Sequence, residues 1–309
     1  MSNIHAAVPL GTDQEARVIY RLLTNLGVPT HRLTRGGRFV NSYLAYRSDQ
    51  LVPEVPESCE YLLKVECDGP AFDHIRCKII TIDHHYPGDP GYGKGPEEFL
   101  PASSLGQVVS FLARHGIVDN DWTPFEKNLS GVQPGDIVPV TQEDGGQTKE
   151  LWVVCAADNS LRQIPKEIVY SAASDHCLLD AYHKRCHGVS KNSLMSWRIV
   201  NLSRSQRVPP FVVSNQIRKA RQILRTLYNP AVKPYADLTG IVPPPSRLSE
   251  AAAIEGIPFL CMYPGTRGKR LFMCSQDREL LQRFAAGEIV PNLKEVYGDP
   301  ARGFMGGVV

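Results

Sequence analysis

The chain has 309 residues, 34 of them basic and 32 acidic, with 42% apolar and 21% charged residues. That length allows two domains of ordinary size, and the composition is that of a soluble globular protein. The near balance of charge argues against bulk electrostatic binding to long duplex DNA and leaves room for a local basic pocket. No apolar run approaches the roughly 20 residues of a membrane span. The opening, MSNIHAAVPLGTDQEA, lacks the basic start and long apolar stretch of a signal peptide. Eight cysteines are scattered, several inside apolar runs such as LWVVCAA, which reads as reduced, mostly buried thiols in a cytoplasmic protein.

In chain order, DQEARVIYRLLTNLG places apolar residues at 18, 19, 22, 23 and 26. That is one face of a helix, opened by a capping box of Thr12 and Glu15 and closed by Gly27. The segments 61–67 and 77–82 read as short buried strands, and 103–116 as a helix with a glycine stop. Alternation of strand and helix over the first 120 residues points to a parallel sheet. Two β-rich runs flank EDGGQ, which predicts a hairpin inserted at 135–160. Helix returns at 164–186 and again at 214–229, the latter with many arginines on its polar face. The proline-rich stretch 229–245 suits a linker. Beyond it, 246–309 reads as helix, strand, turn, strand, helix and a Gly-rich end. The expected fold is therefore α/β: a parallel-sheet domain over 1–228 and a second, smaller α/β domain over 246–309.

The segment KIITIDHHYPGD runs a buried strand straight into Asp83, His84 and His85. Ligands of parallel α/β sheets bind outside the carboxyl ends of the strands. Asp68, in KVECDGP, also follows a strand, although CDGP is good turn chemistry too. Carboxylates with imidazole suit Mn²⁺ or a similar ion, and a shared carboxylate can serve two metals in phosphoryl displacement. Cys177, His183, Cys186 and His187 lack a standard zinc spacing and read as incidental to a helix. The loop HRLTRGGRF (31–39) and the turn with Arg267, Lys269 and Arg270 are basic, as phosphate-gripping and as merely solvated loops both are.

The stretch VECDGPAFDHIRCKIITIDHHYPGDPGYGKGPEEFLPASSLGQVV resembles the core of the DHH phosphoesterase superfamily. That superfamily carries a strand-terminal Asp, an Ile-Asp-His-His signature and a Ser-Ser helix start. Their counterparts are Asp68, Asp83-His84-His85 and Ser103-Ser104. SAASDHCL matches a further family acid at Asp175, with His176 beside it as a supporting group. The family's first motif, a His and then two aspartates two residues apart, is met by His5 and Asp13 alone. The C-terminal NLKEVYGDPARGFMGGVV is similar in place to a Gly-rich substrate loop. The resemblance implies one or two Mn²⁺ or Mg²⁺ ions held by His5, Asp13, Asp68, Asp83, His84 and Asp175. It puts His85 beside the scissile phosphate with Asp83, and gives substrate contacts to Ser103, Ser104, Arg267, Arg302, Gly303, Gly306 and Gly307. The implied activity is hydrolysis of phosphodiester or phosphomonoester bonds in nucleotides or short single-stranded oligonucleotides. Two alternatives stay open: a pyrophosphatase or polyphosphate hydrolase on the same scaffold, and a non-catalytic nucleotide-binding module with a degenerate metal site.

Overall fold

The fold is that of a computed structural model whose description covers residues 3–9, 14–41, 44–127, 129–144, 146–183, 185–265 and 268–309. Contacts along the chain define two units, Met1–Tyr92 with Glu98–Asp175, and Gly93–Glu97 with His176–Val309.

The first unit opens with β1 (Ile4–Val8), α1 (Gln14–Asn25), β2 (Thr30–Arg35), β3 (Arg38–Phe39), β4 (Gln50–Val52), β5 (Tyr61–Val65) and β6 (Lys78–Ile82). The sheet order is β3-β2-β1-β5-β6, with β4 also on β2. Strands β2, β1, β5 and β6 are parallel, as the alternation predicts, while β3 and β4 run antiparallel to β2. The predicted helix face is buried: Val18, Ile19, Leu22 and Leu23 of α1. A core of Ala7, Leu33, Leu51, Leu62 and Phe72 builds up around the strands. The chain leaves β1 for β2 on one side and returns to β5 on the other. The β1/β5 pair is thus the point where strand order reverses, and the crevice at the carboxyl ends there is the usual ligand site of such sheets.

A one-turn helix α2 (Phe99–Ala102) leads into α3 (Ser104–Arg114). Ser103 caps α3, its Oγ accepting from the Gly106 amide at 3.0 Å and donating to the Leu100 carbonyl at 2.9 Å. The predicted hairpin forms as β7 (Ile137–Asp144) against β8 (Gln147–Cys155), and β9 (Leu161–Gln163) adds a third strand. α4 (Lys166–His176) follows. The expected continuous helix over 164–186 breaks at Cys177.

The second unit holds α5 (Leu178–Tyr182), α6 (Lys191–Gln206), α7 (Pro210–Leu227), β10 (Ala236–Leu238), α8 (Leu248–Glu255), β11 (Phe259–Gly265), β12 (Gly268–Cys274), α9 (Arg278–Ala285), β13 (Lys294–Asp299) and β14 (Phe304–Val308). Its sheet order is β10-β11-β12-β14-β13, with β10 parallel to β11 and every other pair antiparallel. The units divide at Asp175/His176, whereas the sequence reading put the boundary at 228. Helices α6 and α7 belong with α8, where Arg198 pairs with Glu250, and Arg221 and Arg225 with Glu255. Nor is 229–245 a spacer, because Ala236 and Leu238 are fully buried and pair with Phe259 and Cys261. Prolines around an edge strand are compatible with that pairing. All eight cysteines are free, and only Cys77 is not fully buried.

The Gly-rich end is the interior strand β14. A side chain at Gly306 would overlap the Tyr297 ring, and one at Gly307 the Leu293 side chain. Those two glycines therefore allow close packing within the sheet. Gly303, at φ +85°, closes the 3-10 turn Pro300–Arg302. Arg302 is buried, its guanidinium 5.0 Å over the Phe304 ring, so it is a packed side chain here and not a surface loop contact.

Candidate metal centre

Three neighbouring strands deliver the site to one edge of the first unit's sheet. Ala7 pairs with Lys64, and Val65 with Ile82, so the residues just past β1, β5 and β6 emerge together. From β6 comes His84, fully buried, with its backbone amide on Asp83 Oδ1 at 2.7 Å. Its Nε2 lies 3.2 Å from Asp175 Oδ2, 3.5 Å from Glu66 Oε1 and 3.9 Å from Glu15 Oε2. Two overlapping groups, Glu66/His84/His85 and Glu15/His84/Asp175, each bring their ligand atoms within 4.8 Å of one another.

Each acid reaches the cluster for a local reason. Glu66 ends β5 in a left-handed conformation, φ +47°, while its amide still pairs with the Ile82 carbonyl at 2.9 Å. A non-glycine residue there costs of order 1–3 kcal/mol and persists where the surroundings impose it, often at functional sites. Glu15 sits in the first turn of α1. Its Oε1 accepts from the Leu105 amide in the first turn of α3 at 3.0 Å, so Oε2 is the oxygen turned towards His84. Glu15 thus joins the cluster; Thr12, the other half of the expected capping box, lies outside the described residues. Asp175 ends α4 after Ser171, Ala172, Ala173 and Ser174, small residues that are all buried.

Asp83 organises the neighbouring histidine. Its Oδ1 accepts from the His84 and His85 amides and from His85 Nδ1 at 2.8 Å, and its Oδ2 accepts from the Tyr46 hydroxyl at 2.7 Å. Burial works to raise the Asp83 carboxyl, but the bonds and charge of His85, the Tyr46 hydroxyl and the His84 amide outweigh it and hold it below the usual value. Burial, with Asp83 and Glu66 nearby, pushes the Tyr46 phenol far up and keeps it a donor. Gln107 braces the turn from α3, with Oε1 on the Asp83 amide and Nε2 on its carbonyl. Gly91 donates to the same carbonyl, and a Cβ there would overlap the Ala102 carbonyl and crowd His84. The outcome is a His85 ring, one-third exposed, whose Nδ1–H is fixed on a carboxylate.

Several expected ligands lie elsewhere. His5 is buried in the middle of the sheet, near the start of β1, with Nδ1 2.8 Å from His31 Nε2 and Nε2 3.0 Å from Asn3 Oδ1. Three residues of strand, about 10 Å, separate it from the carboxyl end of β1. Asp68 is 60% exposed, pairs with Lys64 at 3.2 Å and caps the Gly69 amide, because Glu66 and not Asp68 turns inward at the strand end. Asp83 orients His85 and belongs to neither ligand group. Asp13 and Arg267 lie outside the described residues. Ser103 is spent on the helix cap, and the Ser104 hydroxyl is buried without a hydrogen-bond partner. His176 bonds the Lys94 carbonyl at 3.1 Å, within the second unit. Among the described residues, no third ligand joins Cys177 and Cys186, whose sulfurs are 2.8 Å apart.

Glu15, Glu66, Tyr46 and Gln107 are the residues the sequence reading missed. Glu15 had a signal, since it stands two residues after Asp13, where the resemblance requires an acid. Glu66 had one too, as the first acid after the β5 apolar run. Tyr46 and Gln107 carry no such mark.

The donor set fits a divalent cation. Three carboxylates converge within 4 Å of one buried imidazole nitrogen. Oxygen donors with one imidazole suit the manganese and magnesium class. The first unit is thus an α/β fold with a candidate cation centre at its topological switch point. No family model matches the chain, and neither do curated proteins or solved structures at a significant level.

Proposed function

We propose that the protein is a divalent-metal-dependent phosphoesterase acting on nucleotides or short oligonucleotides. The observation that carries this reading is the convergence of Glu15, Glu66 and Asp175 on His84 Nε2 at the carboxyl edge of a parallel sheet. His84 with these acids would hold a cation of the Mn²⁺ or Mg²⁺ class. When bound, such an ion supplies Lewis acidity, polarising a phosphoryl oxygen and acidifying water.

The chain's own residues do the rest. Leu105 fixes one oxygen of Glu15, so the carboxylate keeps its orientation with or without ligand. Asp83 holds the proton of His85 on Nδ1, which puts proton transfer and hydrogen bonding to a phosphate at Nε2. Tyr46 and Gln107 keep that carboxylate and its backbone in place. With His5 committed to His31 and Asn3, the described residues offer ligands for one cation centred on His84.

The test is a substrate panel with Mn²⁺ or with chelator: short RNA, short DNA, nucleotides, cyclic dinucleotides and pyrophosphate. Mn²⁺-dependent hydrolysis of the oligonucleotides or nucleotides is expected, reduced about 100-fold or more in His84→Ala. Hydrolysis of pyrophosphate alone would move the assignment to a pyrophosphatase. Nucleotide binding without turnover would make the chain a binding module.

A further inference from the structure

The β2–β3 hairpin stands at the same edge of the first unit's sheet as the metal cluster. β2 is parallel to β1, and Arg32 pairs with Val8, so the rest of β2 and its Gly36-Gly37 turn rise past the carboxyl ends of the neighbouring strands. On this hairpin Phe39 is 56% exposed. The Arg32 guanidinium lies between two rings, 5.6 Å from the Tyr20 centroid and 5.9 Å from that of Phe39. Arg35 and Arg38, paired across the turn, are exposed. Asp49 spends one carboxylate oxygen on the Gly36 amide at 2.6 Å, which fixes the turn.

Protection of a sheet edge explains the two outer arginines, since charge at an edge strand deters pairing with another chain. It does not explain Phe39, because a Phe more than half exposed does nothing to deter pairing. Exposed aromatic faces beside cationic side chains are what single-stranded nucleic acid binds: bases stack on the rings and phosphates meet the arginines.

We infer that Phe39, Tyr20 and Arg32 form a stacking platform, with Arg35 and Arg38 as phosphate contacts, for a single-stranded oligonucleotide. Phe39 lies on β3, three strand spacings from β5 and four from β6, about 14 to 19 Å. At about 3.4 Å per stacked nucleotide, a strand held at Phe39 places a phosphate about four to six nucleotides away level with Glu66 and His84. This reach rests on the proposed phosphoesterase reading. Binding at the hairpin does not, so it is measured without metal.

The experiment is fluorescence anisotropy of labelled eight-nucleotide oligo(dT) and oligo(rA) in chelator at two or more salt concentrations. Phe39→Ala is expected to weaken binding about tenfold, Phe39→Trp to restore it, and Phe39→Leu to leave it weak. Arg35→Ala with Arg38→Ala should weaken binding and lower the salt slope by about 1.4, two single-strand phosphate contacts at about 0.7 each. These side chains are exposed, and an unchanged circular dichroism melt verifies the fold of each variant. Unchanged oligonucleotide affinity in Phe39→Ala and the double arginine variant would overturn the inference. So would equal rescue by Leu and Trp, or a Phe39-dependent interaction seen only with anionic vesicles or with a second copy of the chain. If hairpin-dependent binding is present but no substrate is hydrolysed with Mn²⁺, the platform stands and the phosphoesterase reading fails.

Discussion

Both units bury carboxylates, and they answer the buried charge differently. In the second unit Glu250 is met by Arg198 with Arg247 behind it, and Glu255 by Arg221 and Arg225. The charge is balanced inside the fold, and the acids tie α6 and α7 to α8. In the first unit Glu15, Glu66 and Asp175 face a single imidazole nitrogen. The buried acids thus meet guanidinium groups in one unit and an imidazole in the other. The His5–His31 pair makes the same point from the other side. There the histidines meet each other, Asn3 Oδ1 and the Pro53 carbonyl, with no carboxylate among these partners.

The strongest way to break this contrast is to remove an arginine. Arg198→Met leaves Glu250 buried beside Arg247 alone and should cost about 3–5 kcal/mol by chemical denaturation, with any response to Mn²⁺ unchanged. The pH dependence should invert as well. Burial raises the Glu250 carboxyl, but Arg198 and Arg247 hold it below its ordinary value. Its contribution in the parent is therefore complete above the unfolded value near 4.3 and is lost as pH falls through the lowered folded one. Without Arg198 burial wins, the folded value rises, and the variant should regain stability relative to the parent on acidification. A variant that loses stability in parallel with the parent from pH 7 to 4 would show that Arg198 is not what balances Glu250.

Removing an acid from the first unit should do the reverse. Glu66→Gln relieves carboxylate repulsion, so without metal its melting temperature should equal or exceed the parent's. Mn²⁺ at about 100 times its dissociation constant stabilises a folded binder by about 2.7 kcal/mol, several degrees in a unit of this size, and Glu66→Gln should forfeit that gain. Equal Mn²⁺ shifts in parent and variant would remove Glu66 from the ligand set. The smallest effect belongs to His5→Ala, which strands His31 Nε2 in a buried site and should cost about 1–3 kcal/mol. Its Mn²⁺ shift should match the parent's, and a lost shift would return His5 to the metal site.

Much of this was legible in the sequence. Helical spacing marked the buried face of α1, EDGGQ marked the β7–β8 hairpin, and the strand-to-Asp-His-His junction marked the edge where the site forms. Asp175 was marked by the match of SAASDHCL to a further acid of the family the sequence resembles. Other features were settled away from the local sequence. Asp68 and Glu66 are two residues apart on one strand end, and only the left-handed turn at Glu66 decides which carboxylate faces inward. That Glu15 accepts from the Leu105 amide depends on where the start of α3 comes to lie, 90 residues away. Tyr46 and Gln107 converge on Asp83 from other parts of the chain, 37 and 24 residues away.

The sequence alone determined the α/β class, the strand that ends in histidines and the acids available to them. Periodicity and strand-end chemistry are local properties, and a single chain displays them directly. Tertiary structure decided which acids meet His84, that His5 is closed off by His31, and that the C-terminal glycines are packed beneath Tyr297 and Leu293. Those outcomes depend on the register and twist of distant strands and on which side chain first satisfies a buried polar group, and no local window of sequence contains that information.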